Sequence, residues 1–253
     1  MSVPPAPVQP VIHSFTAEPA LIDPGAAVTL RWSVTAERAV IYRLDALGRL
    51  TLPDYPVPLE GSLVISPPAE SGASVNFVLF ALSGDQTAQA GVAVAQRCLD
   101  AWFFPNPPPT CPSRPAAFSA LVTQTFERGR MLWLSDARQI YILYDDVRGP
   151  RWQLRPDEWA PGRPEDDPAL TPPAGRFQPV RGFGLAWRDA GAPEGTRARD
   201  YLGWALAPEI EAGPGAAQCD SAPKYGTCFV GGADGVVYKL EPEGSRWSIW
   251  AGP

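Results

Sequence analysis

The chain has 253 residues, 45% of them hydrophobic, and carries nine tryptophans and a formal net charge of −6. It is long enough for one large domain or two ordinary ones and apolar enough to bury a core, which excludes a chain disordered by composition. The scattered acidic balance excludes a nucleic-acid partner, because that needs a basic face to displace counterions from phosphates.

Thirty-one prolines and 23 glycines disfavour long helices and predict strands joined by many loops. No run of apolar residues reaches the length of a membrane span. The opening MSVPPAPVQP, residues 1–10, lacks the basic region and apolar core of a signal peptide and reads as a proline-rich spacer. It suggests a stretch continuing from a longer polypeptide, whose upstream signal or anchor is expected to have been removed.

From Val11 to about Gln96 the pattern is one of short strands separated by turn residues. In PGAAVTLRWSV, Val28, Leu30 and Trp32 alternate with Thr29, Arg31 and Ser33, the period of a half-buried strand. VIHSFTAEP, AVIYRL, GSLVISP, VNFVLFAL and TAQAGVAVAQ are the other strand candidates, with turn chemistry at Asp23-Pro24-Gly25 and Ser83-Gly84-Asp85. The phrases FTAEPALIDPGAAVTLRWSV and VNFVLFALSGDQTAQAGVAVA resemble those of bacterial immunoglobulin-like domains of extracellular proteins. The resemblance covers residues 11–96. It implies a β-sandwich acting as a spacer or adhesive module, with Trp32 in its core, and it says nearly nothing about function. His13, the single histidine, is a polar strand position.

The four cysteines are Cys98, Cys111, Cys219 and Cys228. Both short intervals, LDAWFFPNPPPT and DSAPKYGT, are loop-like, so the simplest connectivity pairs Cys98 with Cys111 and Cys219 with Cys228. Closing a loop of that size contributes about 3 kcal/mol in the chain-entropy model. A zinc site would show CxxC-type pairs or added histidines, and these spacings do not. Disulfides imply an oxidising compartment, hence an extracellular or cell-surface protein.

Composition changes at Cys98, and eight of the nine tryptophans lie beyond it, within residues 97–253. RPAAFSALVTQTFERG places Phe118, Leu121, Val122 and Phe126 near helical spacing, with Pro115 suited to a first turn and Gly129 to a C-terminal cap, and predicts the one short helix. Two hairpins are expected. One joins Met131–Leu134 to Ile140–Tyr144 through Ser-Asp-Ala-Arg; the other joins Val236–Leu240 to Trp247–Trp250 through Glu-Pro-Glu-Gly. Phe126-x-x-Gly129 and Phe229-x-x-Gly232 echo one another ahead of them. Between the hairpins, a stretch from Arg148 to Val180 holds Trp152 and Trp159 among eight prolines.

Phe183-Gly184-Leu185-Ala186-Trp187 and Leu202-Gly203-Trp204-Ala205-Leu206 place a glycine beside large apolar residues twice within a short span. With FERGRMLW, these phrases are similar to the LGFP repeat of bacterial cell-envelope proteins. Leu202-Gly203-Trp204 and Glu209 match the first part of that pattern, with alanine in place of its proline; Phe126-x-x-Gly129 and Trp133 match the second. The resemblance implies a surface-associated module with affinity for envelope polymer or glycan, and no catalysis. On the residues alone, Gly184 and Gly203 read as positions where a backbone angle or a close tryptophan demands glycine.

A serine or cysteine nucleophile lacks a base, since His13 lies far upstream in the other half, and no phosphate-binding or dinucleotide fingerprint is present. No catalytic residue, cofactor or metal ligand is therefore assigned. The carboxylate pairs Asp145-Asp146, Asp157-Glu158 and Glu165-Asp166-Asp167 read as solvated loop charge. A glycan site needs flat aromatic faces with polar groups beside them. Trp152, Trp159, Trp187 and Trp204, with Arg181 and Asp157, are the candidate ligand-binding residues.

The sequence thus predicts a mainly β protein: an immunoglobulin-like sandwich, then a loop-rich, disulfide-stapled domain with one short helix. Its expected role is non-catalytic binding or adhesion, with glycan, envelope polymer, a protein partner or a second copy as partner. The alternatives are a structural subunit of an envelope layer or filament and a carboxylate-dependent glycan hydrolase. Convergent carboxylates across a tryptophan-lined cleft would favour the hydrolase.

Overall fold

The computed structural model describes residues 8–70, 72–145, 150–188, 197–220, 226–232 and 235–252. Residues 1–7 of the expected spacer, Asp146 and most of the second cysteine loop lie outside them. The protein is mainly β, with 50% strand and 7% helix. It divides into two compact units, one built on residues 8–101 and 109–114, the other on 102–108, 115–220 and 226–252.

The first unit contains β1 (Val11–Glu18), β2 (Leu21–Ile22), β3 (Val28–Thr35), β4 (Arg38–Leu44), β5 (Leu50–Val57), β6 (Glu60–Ile65), β7 (Ser74–Ser83) and β8 (Gln86–Gln96). They form a sheet of order β1-β3-β6 and another of order β2-β8-β7-β4-β5. One core joins the two. The alternating Val28, Leu30, Trp32 and Val34 of β3 pack with Ala39 and Ile41 of β4 and Phe77, Leu79 and Ala81 of β7. The Trp32 indole is satisfied by the Pro58 carbonyl at 2.7 Å. β5 escapes a propensity reading because Pro53 and Pro56 interrupt it; it survives as the edge of its sheet, where a missing N–H costs no ladder bond.

The second unit is a nearly closed eight-stranded antiparallel sheet. Its strands are β9 (Ser119–Phe126), β10 (Gly129–Leu134), β11 (Gln139–Tyr144), β12 (Trp152–Pro156), β13 (Ile210–Cys219), β14 (Cys228–Gly232), β15 (Val237–Leu240) and β16 (Trp247–Ile249). The order β12-β11-β10-β9-β13-β14-β15-β16 is two four-stranded meanders joined by the β9–β13 pairing. Both expected hairpins are present, as β10–β11 and β15–β16. The ends of the sheet curl together: Trp247 donates its indole N–H to Tyr144 O at 2.8 Å, Trp152 to Glu241 O at 2.7 Å, and the Arg151 amide to Gly244 O at 2.8 Å.

The helix expected over residues 115–129 is instead strand β9. Leu121 faces a core with Leu132, Leu143 and Val230, whereas its neighbour Val122 and Phe126 face another with Met131 and Ile142. Adjacent apolar residues serve a sheet buried on both sides, and Phe118, the supposed first member of the helical stripe, is exposed. Gly129 opens β10 after a two-residue turn rather than capping a helix.

The helices lie instead at the two glycine-aromatic phrases. α1 (Arg181–Arg188) and α2 (Ala198–Leu202) cover the Met131 and Ile142 face of the sheet. Phe183, Ala186 and Trp187 recur at i, i+3 and i+4, and their burial holds α1 against two internal glycines. A Cβ on Gly184 would stand 2.7 Å from Pro179 O, so close approach requires that glycine. Gly203, with φ 71°, ends α2, and a Cβ there would collide with Glu127. The two glycine-aromatic phrases therefore fold differently, one inside α1 and the other across the end of α2.

Cys98 is bonded to Cys111 and Cys219 to Cys228; the second pair sits at directly opposed positions of β13 and β14. These two disulfides mark an oxidising environment. Among the described residues no helix is long and apolar enough to cross a membrane.

Candidate functional site

Val122 of β9 and Trp133 of β10 point from the helix-covered face of the second unit's sheet into a cavity of about 400 Å³. The other walls come from segments far apart in sequence: Ser135 and Arg138 in the β10–β11 turn, Asp157, Trp159 and Pro161 after β12, Arg181, Gly182 and Phe183 of α1, and Glu209 just before β13. Trp133, Trp159 and Phe183 give it an aromatic lining.

The turn residue Arg138 has φ 48°, a conformation uncommon outside glycine. Its Nη2 donates to Asp157 O at 3.0 Å and Trp159 O at 2.7 Å, and lies 3.7 Å from Asp157 Oδ2. The Trp159 amide donates to Asp157 Oδ1 at 3.0 Å, and the Asp157 amide to Arg138 O at 2.8 Å. Asp157 therefore clasps the loop after β12 to the hairpin turn, one carboxylate oxygen hydrogen-bonded and the other in an ion pair with Arg138. Gly182 lets the first turn of α1 pass over it, since a Cβ there would collide with Asp157 Oδ1.

Arg181 starts α1 with φ 48° and donates its amide to Glu165 O at 2.7 Å. Its guanidinium stands 5.7 Å from the Trp159 ring centroid, within cation–π range, and its Nε is 3.3 Å from Glu165 Oε1. Glu209 is the other carboxyl of the cavity. Burial pushes it above the ordinary carboxylate range, and the Val180 amide and the Arg181 charge pull it back only in part. Its Oε1 is buried without a hydrogen-bond partner among the described residues, as are the indole nitrogens of Trp133 and Trp159.

A raised folded-state pKa means that Glu209 favours folding most when protonated in both states, below its unfolded value, and that this contribution is lost as pH rises through the folded value. The Glu209→Gln variant should therefore melt above the wild type near neutral pH and with it near pH 4, about where an unperturbed glutamate titrates. Thermal melts across that range check this. A variant less stable than wild type at neutral pH would show that the ionised carboxylate is favoured in the fold.

Of the six candidates from sequence, the structure brings Asp157, Trp159 and Arg181 to one cavity. Trp152, Trp187 and Trp204 lie elsewhere. Trp152 packs into the core lined by Leu143 and Leu240. Trp187 is 2% exposed, donates to Gly203 O at 2.8 Å and has its ring 5.0 Å from that of Trp204. It is a core residue with no face for a ligand. Trp133, Phe183, Arg138 and Glu209 were not among the candidates, since only strand order brings the β10 hairpin, α1 and the approach to β13 together. Trp133 carried a usable signal: Met131 and Trp133 occupy alternate positions of a hairpin strand, and a large aromatic at the strand end faces whatever covers that sheet face.

Fold and cavity together define a mainly β protein whose second unit holds an aromatic-walled pocket under a short helix. No protein-family model and no curated protein matches the chain. Among solved structures it is similar to a structural genomics protein of unknown function from Bacteroides thetaiotaomicron, with 10% identity and a TM-score of 0.24 over 98% of this chain. The chain spans about 60% of that protein's length. A likeness of that size assigns neither fold nor function.

Proposed function

We propose that this is a non-catalytic binding or adhesion region of an extracellular protein, and that the cavity of the second unit receives glycan. The observation that carries this reading is the meeting of Trp133, Trp159 and Phe183 with Arg138 and Arg181 around a cavity of about 400 Å³. Aromatic walls suit the C–H surfaces of a sugar ring, and guanidinium groups at the rim suit its oxygens. The two disulfides fit an extracellular setting. The first unit, two sheets on one core with Trp32 inside, suits an immunoglobulin-like spacer that presents the second. Of the residues that carry the LGFP resemblance, Trp133 and Glu209 line this cavity.

The carboxylate-dependent hydrolase is kept as a second reading because Asp157 and Glu209 line one cavity. Against it, the Asp157 side chain is only 10% exposed, accepts from the Trp159 amide and is paired with Arg138, and is poorly placed to attack or to activate water.

The test is tryptophan fluorescence titrated with bacterial envelope polysaccharides and their oligosaccharides. Saturable quenching is expected, and Trp159→Ala should weaken it by about tenfold or more while leaving the melting temperature nearly unchanged. A panel without any response would remove the glycan reading. Release of reducing ends during the titration would favour the hydrolase.

A further inference from the structure

The hydrogen-bonding groups around the cavity are unevenly occupied. On the acceptor side, Asp157 Oδ1 takes the Trp159 amide and Oδ2 faces Arg138. Glu209 has its Oε1 buried, and burial favours its uncharged form. On the donor side, Arg138 uses only Nη2, for two carbonyls and the ion pair. Arg181 makes one ion pair, through Nε, with Glu165. Among the described residues nothing accepts from Nε or Nη1 of Arg138, or from Nη1 or Nη2 of Arg181. The two side chains are 58% and 55% exposed. The open capacity at the rim is therefore cationic donors, and it belongs to arginines, whose planar fork fits a carboxylate with two parallel bonds.

We propose that the ligand is an acidic glycan, whose sugar ring lies in the aromatic cavity and whose carboxylate is taken by Arg181 and Arg138. This inference rests on the glycan reading and deepens it. Arg181 leans on Trp159, so the cation stands beside the aromatic wall, and a uronic acid presents its carboxylate from the ring that would occupy that wall. Glu165 is the internal competitor: it pairs with Arg181 in the free protein and must yield part of that pairing to the incoming carboxylate.

The experiment is isothermal titration calorimetry of the full chain, at low salt, with a panel of trigalacturonate and a glucuronate-bearing tetrasaccharide, each beside its methyl ester, and the neutral envelope oligosaccharides of the fluorescence titration. The ester keeps the sugar and removes the charge. At least one acid should bind about tenfold more tightly than its ester, a typical margin for a charge-assisted bidentate pair. Arg181→Gln should erase that margin, with a circular-dichroism melt as the check on folding. Glu165→Gln should tighten the acid several-fold and leave the ester unchanged, a gain that damage to the fold does not mimic. Acid and ester binding alike, or binding confined to neutral oligosaccharides in the same panel, would overturn the acidic specificity and leave the glycan reading standing. Silence toward every acidic and neutral sugar would overturn both.

Discussion

Gly129→Ala should lose about 3–5 kcal/mol of stability, in the range of substitutions that force backbone strain and overpacking together, and so leave the second unit largely unfolded. Gly129 has φ 145°, follows the two-residue turn from β9, and pairs with Phe126 on one side and Tyr144 on the other. A Cβ there would collide with the Leu143 carbonyl oxygen and stand 2.7 Å from Leu202 Cδ2. The first contact is backbone in the adjacent strand and cannot step aside without breaking the β10–β11 ladder. The second is a fully buried side chain at the end of α2. Urea denaturation followed by near-ultraviolet circular dichroism would measure the loss. Gly48→Ala is the matched control, since Gly48 also has positive φ, at 75°, but nothing lies within 4 Å of its Cβ position. That variant should cost only about 1 kcal/mol. A Gly129→Ala protein melting within about 2 °C of the wild type would mean that this register is wrong, because a shift that small corresponds to less than 1 kcal/mol.

Trp187→Ala should cost about 3–5 kcal/mol, the range for removing a large aromatic from a core. Trp187 joins α1 to α2: its ring packs with Phe183, Ala198 and Leu202, and its indole N–H donates to Gly203 O at 2.8 Å. Truncation would open a cavity and orphan that carbonyl. Trp187→Phe keeps most of the volume and loses the donor, so it should cost about 1–2 kcal/mol and retain the near-ultraviolet signal. Thermal and urea unfolding rank the pair. A fully stable Trp187→Ala protein that had lost its glycan response would instead make Trp187 a ligand contact. Because Trp159 is expected to behave the opposite way, the two variants separate wall from core.

Strand periodicity in β3 was legible because one of its faces is buried and the other is not, and the hairpins were legible because polar turns separate their apolar runs. β9 was misread for a related reason: both its faces are buried, so Leu121 and Val122 stand adjacent and imitate a helical stripe. α1 was missed although Phe183, Ala186 and Trp187 had helical spacing, because Gly182 and Gly184 lower helix propensity and only close packing accounts for them. Local chemistry alone nominates Asp157, Trp159 and Arg181, which the structure brings to one cavity. It does not nominate Arg138 and Glu209, because each sits in a stretch whose neighbours say turn or strand end, and their meeting depends on the order in which distant strands pair.

The β9–β13 pairing has a kinetic consequence. Within each meander every strand pairs with its sequence neighbour, so each can zip from local turns. The pairing that unites them brings residues 119–123 against 210–215 and must close a loop of most of the second unit before it returns any ladder bond. The two meanders should therefore acquire protection from hydrogen exchange early and separately, and the cavity, whose wall includes residues on both sides of that junction, should be among the last features to form.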